Sequence, residues 1–323
     1  MKQTAFEHQH RQQWQQLTDW LDALDKRNTP QKLSTFPQLY RQVCQHLALA
    51  QDRHYSSALT EQLNSLALRG HQHLYRTPNL IITPWLYFLS VQFPQCVRKE
   101  KYFIGLSGIF FGVALLVMFF GVQMQPTLIN YFIEPNEVKM LESMYHPEAT
   151  HLGRERGSES DFLMFGFYIY NNISIGFQTF ASGLLLGLGS LFFLVVNGLY
   201  IGCVAGHLTY IGYSEPFFAF VAGHSALELT AIVFAGGAGL KLGWSLIRPG
   251  TLRRQHALRR AAIESIQLIY GVITMLGVAA FIEAFWSSKT SIAPEIKYSF
   301  GLVIWLMLLG YFFWIGRRAT GTH

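Results

Sequence analysis

The chain divides by hydropathy into a polar first part, residues 1–79, and a long apolar remainder. Within the polar part, apolar side chains recur three or four positions apart, which places them on one face of a helix. Three sets show this spacing: Trp14, Leu17, Leu21 and Leu24; Phe36, Leu39, Tyr40, Val43 and Leu47; and Leu59, Leu63 and Leu66. A turn signal at Asn28-Thr29-Pro30 separates the first two sets. The pattern predicts a small head of three helices, on the cytoplasmic side of a membrane.

Residues 80–101 predict an interfacial helix followed by a basic connector. The stretch 80–93 is apolar and aromatic, but it is too short to cross a hydrocarbon core of about 30 Å. Trp85 and Tyr87 are typical of residues at headgroup depth. Pro94 ends the predicted helix, and three basic residues follow it: Arg98, Lys99 and Lys101.

From residue 102 to residue 316 the pattern predicts a transmembrane helical bundle. The apolar runs long enough to cross are 102–122, 172–192, 194–212, 217–241, 261–285 and 298–316. Almost no connector lies within 172–212, so this stretch is either two spans or one long broken helix. The expected fold class is all-α: a polytopic membrane protein with about six transmembrane helices.

Charge placement predicts the orientation of these spans, since basic loops stay on the cytoplasmic side. The loop 241–260 is basic and contains no acid, and the tail 317–323 begins with Arg317 and Arg318. The segment 123–161 is rich in acids and is expected outside, as a solvated loop. We therefore expect a multi-pass protein of the inner (cytoplasmic) membrane with both termini in the cytoplasm. The net charge of +6 is explained by these loops and does not indicate nucleic acid.

Polar residues interrupt the middle spans at positions where lipid alone would favour hydrocarbon side chains. They are Asn171, Asn172, Asn197, His207, His224, Glu228 and Glu283. Such groups cost free energy at hydrocarbon depth unless they meet partners inside the protein. The sequence therefore predicts an intramembrane polar cluster, whose role is either helix packing or the handling of protons or cations.

His224 and Glu228 carry the most specific signal in this cluster, because residues four apart share a helix face. Two ligands fall short of the three that a catalytic zinc site normally needs. His207, on the preceding span, is a candidate third, but we expect packing rather than a metal. Glu283 lies among aromatic residues near the outer interface, where it predicts an anchor or a docking contact for an external partner.

Glycines recur at short spacing beside these polar residues, which allows helix backbones to approach closely. The predicted packing positions are Gly183, Gly187, Gly189, Gly198, Gly202 and Gly206. The pattern leaves open whether the contact lies within one chain or between the copies of a homo-oligomer.

Enzyme motifs are absent from the sequence. We find no Gly-x-Ser-x-Gly elbow, no His-Glu-x-x-His pair and no phosphate-binding loop after a strand. Cys44, Cys96 and Cys203 lie outside the predicted external segment, so no disulfide framework is expected. The sequence predicts neither catalytic residues nor a cofactor.

Several motifs, in order, resemble the stage II sporulation protein M family of membrane proteins. They are Asn171-Asn172-Ile173; Phe177, Phe180, Gly183, Gly187 and Gly189; Asn197-Gly198 with Gly202; His224 with Glu228-Leu229; and Ile282-Glu283-Ala284-Phe285. Where family members often read Pro-His-Gly, this chain has Gly223-His224-Ser225. The long head rich in Gln and His is similar to members from bacteria that do not sporulate.

The resemblance implies a non-catalytic scaffold or assembly component, because the family's namesake holds cell-envelope remodelling enzymes at the membrane and is not itself a hydrolase. We therefore expect membrane lipid and partner proteins as its contacts. The alternative reading is a proton- or cation-coupled transporter or channel that uses the His224/Glu228 pair. It is motivated by polar, glycine-broken spans, which can mark substrate sites.

Overall fold

A computed structural model describes residues 2–25, 35–74, 82–149, 152–153 and 161–317. The ordered elements among these residues are helices. The chain forms two compact units, Met1–Pro84 and Trp85–His323.

The first unit contains three helices, α1 (Gln3–Asp25), α2 (Phe36–Asp52) and α3 (Ser57–Leu74). One apolar cluster holds them together, and it contains Phe6, Trp14, Leu17, Leu21, Phe36, Leu39, Val43, Ala50, Leu59, Leu63 and Leu66. The buried positions thus coincide with most of the apolar sets in the sequence. The predicted breaker 28–30 lies outside the described residues.

A buried histidine, His46, joins α1 to α2. The Trp14 indole Nε1 donates a hydrogen bond to His46 Nδ1 over 3.1 Å, and the ring of His10 lies against His46 at a centroid distance of 3.9 Å. Burial, together with the neighbouring His10, lowers the pKa of His46 from 6.5 to about 4. The neutral ring is therefore the form that the folded unit holds, since a protonated Nδ1 cannot accept from Trp14.

We expect the first unit to lose stability as the pH falls from 6.5 towards about 4. In this window the unfolded chain binds a proton at His46, whereas the folded unit does not. The free energy of unfolding should therefore fall by on the order of 2 kcal/mol. Denaturant unfolding of the full-length protein, followed by tryptophan fluorescence at several pH values, measures the effect. His46→Phe should flatten this pH dependence, whereas replacing the exposed His54 with Gln should not. A wild-type midpoint that is constant across the window would contradict the assignment.

The second unit contains the longer, apolar helices. They are α6 (Lys101–Met124), α9 (Asp161–Ala181), α10 (Leu188–Tyr210), α11 (Ser214–Ile247), α12 (Arg254–Ile282) and α13 (Pro294–Trp314). Among the described residues, five helices are long and apolar enough to cross a membrane: α6, α10, α11, α12 with the turn after it, and α13. α9 has 21 residues but is more polar, because Asn171, Asn172 and Gln178 lie within it. Of the predicted spans, about six in number, five are therefore supported by length and composition.

The chain reverses between α9 and α10 at a position that the sequence analysis placed wrongly. We predicted spans 172–192 and 194–212, but α9 ends at Ala181 and a short turn leads to Leu188. Leu186 and Gly187 both have positive φ, 55° and 83°, and glycine adopts this conformation readily. The turn residues are as apolar as a span, so hydropathy alone could not locate the reversal. The sequence left open whether 172–212 is two spans or one long broken helix. The structure has two helices, joined by this turn.

The segment expected at the membrane interface is partly buried inside the bundle. It forms α4 (Ile82–Tyr87), a π-helical turn (Phe88–Gln92) and α5 (Phe93–Lys99). Trp85 and Tyr87 are exposed, as an interfacial position requires, but Phe93 is 2% exposed. Phe93 packs in one cluster with residues of α11 and α12. The second half of this segment is thus part of the bundle core, which corrects the prediction of a purely interfacial helix.

Part of the acidic segment 123–161 is a helical cap rather than a solvated loop. Its described part forms α7 (Ile129–Phe132) and α8 (Pro135–Met144). Ile129, Val138 and Tyr145 are each at most 8% exposed, and they share a cluster with residues of α6, α10 and α11. The apolar spacing within the acidic sequence explains this packing.

Candidate functional site

The predicted pair His224 and Glu228 lies one turn apart on α11, with Nε2 and Oε2 separated by 3.9 Å. A π-helical turn, Glu283–Ser287, follows α12 and faces them. It brings Glu283 to the pair, so that one ligand atom from each of His224, Glu228 and Glu283 lies within 4.8 Å of the other two. His224 is 4% exposed and Glu283 is 8% exposed. We call these three residues the His–Glu–Glu cluster.

Ser287 and Lys297 hold the π-helical turn in place. His224 Nδ1 is 3.1 Å from Ser287 Oγ, and the buried Lys297 Nζ donates to the main-chain oxygen of Ser287 over 2.8 Å. A π-helical turn contains one more residue than an α-helical turn and often marks a functional site. Here the π-helical turn changes the direction in which the carboxylate of Glu283 points at the end of α12.

A cavity of about 170 Å³ lies beside the cluster. Helix α8 borders it on one side, and α9, α10 and α11 border it on the others. Its polar lining residues are Glu137, Tyr145, Tyr168, Asn171, Asn172, Tyr200, Glu228 and Glu283. This cavity therefore collects carboxylates, amides and phenols from helices that are far apart in the sequence.

Asn171 and Asn172 meet at the cavity, where Asn171 Nδ2 donates to Asn172 Oδ1 over 3.1 Å. Asn172 is 3% exposed, and its own Nδ2 has no hydrogen-bond partner among the residues that the structure describes. An unsatisfied buried donor costs about 1–3 kcal/mol. The amide of Asn172 is thus a donor available to a molecule or ion in the cavity.

Tyr145 was not predicted, although it closes the cavity from the cap. Its ring lies edge-on against Phe217 and Phe220. Burial, with the negative charge of Glu283 as the next contribution, raises the pKa of the Tyr145 phenol above its ordinary value. The phenol therefore remains protonated and can donate a hydrogen bond.

Two predicted members of the polar cluster lie elsewhere. Asn197 Nδ2 donates to the main-chain oxygen of Phe193 in its own helix over 2.7 Å. His207 Nε2 is 2.8 Å from Glu142 Oε1 of α8, so His207 fixes the cap and is not the third member beside His224. The third member is Glu283, which is buried. Of its two predicted roles, an interfacial anchor and a docking contact, burial does not fit the second.

The predicted glycines lie where backbones meet within one chain. A Cβ atom on Gly198 would lie 2.6 Å from Phe111 O, one on Gly206 would lie 2.8 Å from Phe119 O, and one on Gly202 would lie closer still to Leu115 O. α10 therefore packs directly against the backbone of α6. Gly183 meets Gly239 of α11, Gly187 forms the turn before α10, and Gly189 meets Ser182.

A second charged group lies at the opposite end of the bundle. Lys241 Nζ donates to Glu100 Oε1 over 2.6 Å and to Glu264 Oε2 over 2.5 Å. Lys99 and Arg260 also reach Glu264. We call Glu100, Lys241 and Glu264 the charged triad.

The fold and these sites define a helical membrane protein whose bundle has a buried polar cluster beneath a helical cap. The model of the family "Stage II sporulation protein M" matches residues 107–288. Because the match covers more than half of the chain, the protein belongs to the stage II sporulation protein M family. This is not a known enzyme family.

The first unit has a separate match. The model of a domain of unknown function, DUF8413, matches residues 4–76. Searches of curated proteins and of solved structures find no match to the chain. The family match covers the cap, the cavity and the His–Glu–Glu cluster, and the other match covers the three helices of the head.

Proposed function

We propose that this protein is a non-catalytic scaffold of the cytoplasmic membrane that holds partner proteins for assembly or remodelling of the cell envelope. The observation that carries the proposal is the direct backbone contact of α10 with α6 at Gly198, Gly202 and Gly206. Packed interfaces of this kind resist continuous deformation. They suit a rigid platform better than a transporter, whose helices must rock or slide.

The arrangement of the ends supports a topology with both termini in the cytoplasm. Arg98 Nη1 donates to Phe312 O over 2.8 Å, and the charged triad joins the start of α6 to the end of α11 and the first half of α12. The basic connector 98–101, the end of α13 and the basic end of α11 therefore lie at one end of the bundle. This end corresponds to the cytoplasmic side by the positive-inside rule, which leaves the cap outside.

Two surfaces are then available to partners, on opposite sides of the membrane. Outside, α8 presents the exposed Lys139 while its other face is packed on the bundle. Inside, the head presents the exposed face of α3 around Gln62. The first surface belongs to α8, which an apolar cluster packs against the bundle. The second belongs to α3, which packs in the apolar cluster of the head.

In-cell photo-crosslinking tests the proposal. A photoreactive amino acid is placed at Lys139 or at Gln62. Each position should yield discrete adducts, identified by mass spectrometry, with a partner that is reproducible between preparations. The matched control is Val117, which is 64% exposed in the middle of α6 and should meet lipid. Adducts from Lys139 and Gln62 that do not differ from those of Val117 would contradict a scaffold.

A further inference from the structure

The His–Glu–Glu cluster has the donor set of a metal site. It offers one imidazole nitrogen and two carboxylates, and one ligand atom from each lies within 4.8 Å of the other two. Three protein ligands with a fourth position open to a small molecule describe many zinc sites. Glu228 and Glu283 line the cavity of about 170 Å³, which leaves room there for a water molecule or hydroxide.

The distances require an adjustment of about half an ångström for one pair and of at most about 1.5 Å for the pairs with Glu283, which lie within 4.8 Å. In a tetrahedral zinc site with bonds of about 2.0–2.2 Å, ligand atoms lie about 3.3–3.6 Å apart. His224 Nε2 and Glu228 Oε2 are 3.9 Å apart. A closure of about half an ångström brings them into this range, which small side-chain rotations can supply.

The surroundings of His224 orient its ring for ligation. A metal-bound histidine normally donates its second ring N–H to a neighbouring acceptor. Ser287 Oγ lies 3.1 Å from His224 Nδ1, so that donation from Nδ1 leaves the lone pair of Nε2 facing Glu228. Ser287 follows Glu283 in the same turn, so one element supplies both a ligand and the group that orients another ligand.

Asn172 provides an independent indication of a ligand in the cavity. Its side chain is 3% exposed, it lines the cavity together with Glu228 and Glu283, and its Nδ2 has no partner among the described residues. A donor in this position fits an oxygen with a free lone pair, such as a metal-bound hydroxide.

We propose that His224, Glu228 and Glu283 bind a divalent transition-metal ion, with Zn²⁺ as the best fit, and that Asn172 donates to the oxygen in its fourth position. Imidazole nitrogen favours Zn²⁺ over Mg²⁺ and Ca²⁺, which prefer ligand sets made of oxygen alone. The ion compensates the charge of two neighbouring carboxylates, one buried and one partly buried, which otherwise repel each other. It also ties α11 to the end of α12 beneath the cap, where it stabilises the bundle.

Zinc itself is the probe for the test. The full-length protein is purified in detergent, stripped with a chelator and reloaded with ZnCl₂. Elemental analysis should then give close to one equivalent of zinc per chain, and the melting temperature should rise with added zinc because the ion binds the folded state. Replacement of zinc by Co²⁺ should give visible absorption bands that report the number of ligands.

Variants separate this site from other histidine–carboxylate pairs. Glu228→Gln and Glu283→Gln keep the side-chain shape and should lose the bound zinc. The matched control is Glu142→Gln, which breaks the pair with His207. This variant should retain the bound zinc. Ser287→Ala, which removes the group that orients His224, should weaken zinc binding about 10- to 100-fold.

Several results would overturn the proposal. One is a stripped wild-type protein that takes up no zinc and melts at the same temperature with and without it. Another is retention of one equivalent by both Glu→Gln variants. If those variants fail to fold, Ser287→Ala and the chelator titration of the wild type decide the question. The crosslinking outcomes test the scaffold separately, since they require no metal.

Discussion

Replacing Gly202 with leucine should prevent the second unit from folding. A Cβ atom at this position would collide with the main-chain oxygen of Leu115, and a backbone cannot move aside as the end of a side chain can. Relief would require α10 to separate from α6 along the contact that Gly198 and Gly206 share. We expect a loss of at least about 3 kcal/mol of folding free energy, above the usual cost of an overpacked core.

Gly112→Leu is the matched control, because Gly112 lies in the middle of α6 and a Cβ there meets no atom within 4 Å among the described residues. The measurement is the yield of monodisperse protein after detergent extraction, together with its melting temperature. Gly202→Leu should give almost no folded protein, while Gly112→Leu should behave like the wild type. Equal yields for both variants would show that α10 and α6 do not meet at Gly202.

Replacing Lys241 with methionine should have the second largest effect on stability. The side chain of Lys241 is 13% exposed and that of Glu100 is 9% exposed. Without the ammonium group, the carboxylates of Glu100 and Glu264 remain close together with no charge between them. Removal of one partner from a buried ion pair typically costs about 3–5 kcal/mol. We expect a value near the lower limit, because Glu264 is 28% exposed and keeps two other basic partners.

Lys99→Met provides the comparison, because Lys99 also pairs with Glu264 but its side chain is 63% exposed. An exposed pair contributes at most about 1 kcal/mol. Unfolding in mixed micelles with increasing denaturing detergent measures both variants. Adding Glu100→Gln to Lys241→Met should restore part of the lost stability, since it removes one of the uncompensated charges. Equal effects of Lys241→Met and Lys99→Met would mean that Lys241 is not buried in the triad.

Local periodicity predicted those parts of the structure that depend on neighbours along one helix. The apolar sets of the head, the long helices and the shared face of His224 and Glu228 all follow from the helical repeat. The glycines at 198, 202 and 206 also lie on one face for this reason. In each case the spacing alone carries the information.

Contacts between distant segments could not be predicted in this way. Glu283 joins His224 and Glu228 through a π-helical turn, which shifts the helical register by one residue and leaves no signal in hydropathy. Glu100 follows the basic connector and resembles any solvated acid in the sequence, yet it pairs with Lys241. Such partners become visible only when the helices are placed side by side.

The cap was missed although the sequence contains its signal. Val138, Leu141 and Tyr145 follow helical spacing within the acidic segment, and Pro135 stands at the first turn of α8, where proline is favoured. The many acidic residues of the segment favoured the prediction of a solvated loop over this helical pattern. The charge of a segment thus does not predict its degree of burial.

The length of α11 has a consequence for how the two sides of the membrane communicate. Its 34 residues extend over about 50 Å at 1.5 Å per residue, whereas a hydrocarbon core measures about 30 Å. A single unbroken helix therefore carries both His224 and Lys241, and it is longer than the hydrocarbon core is thick. Because α11 has no break and is packed against its neighbours, a partner that binds one of its ends is connected to the other end by a rigid element without any intervening hinge.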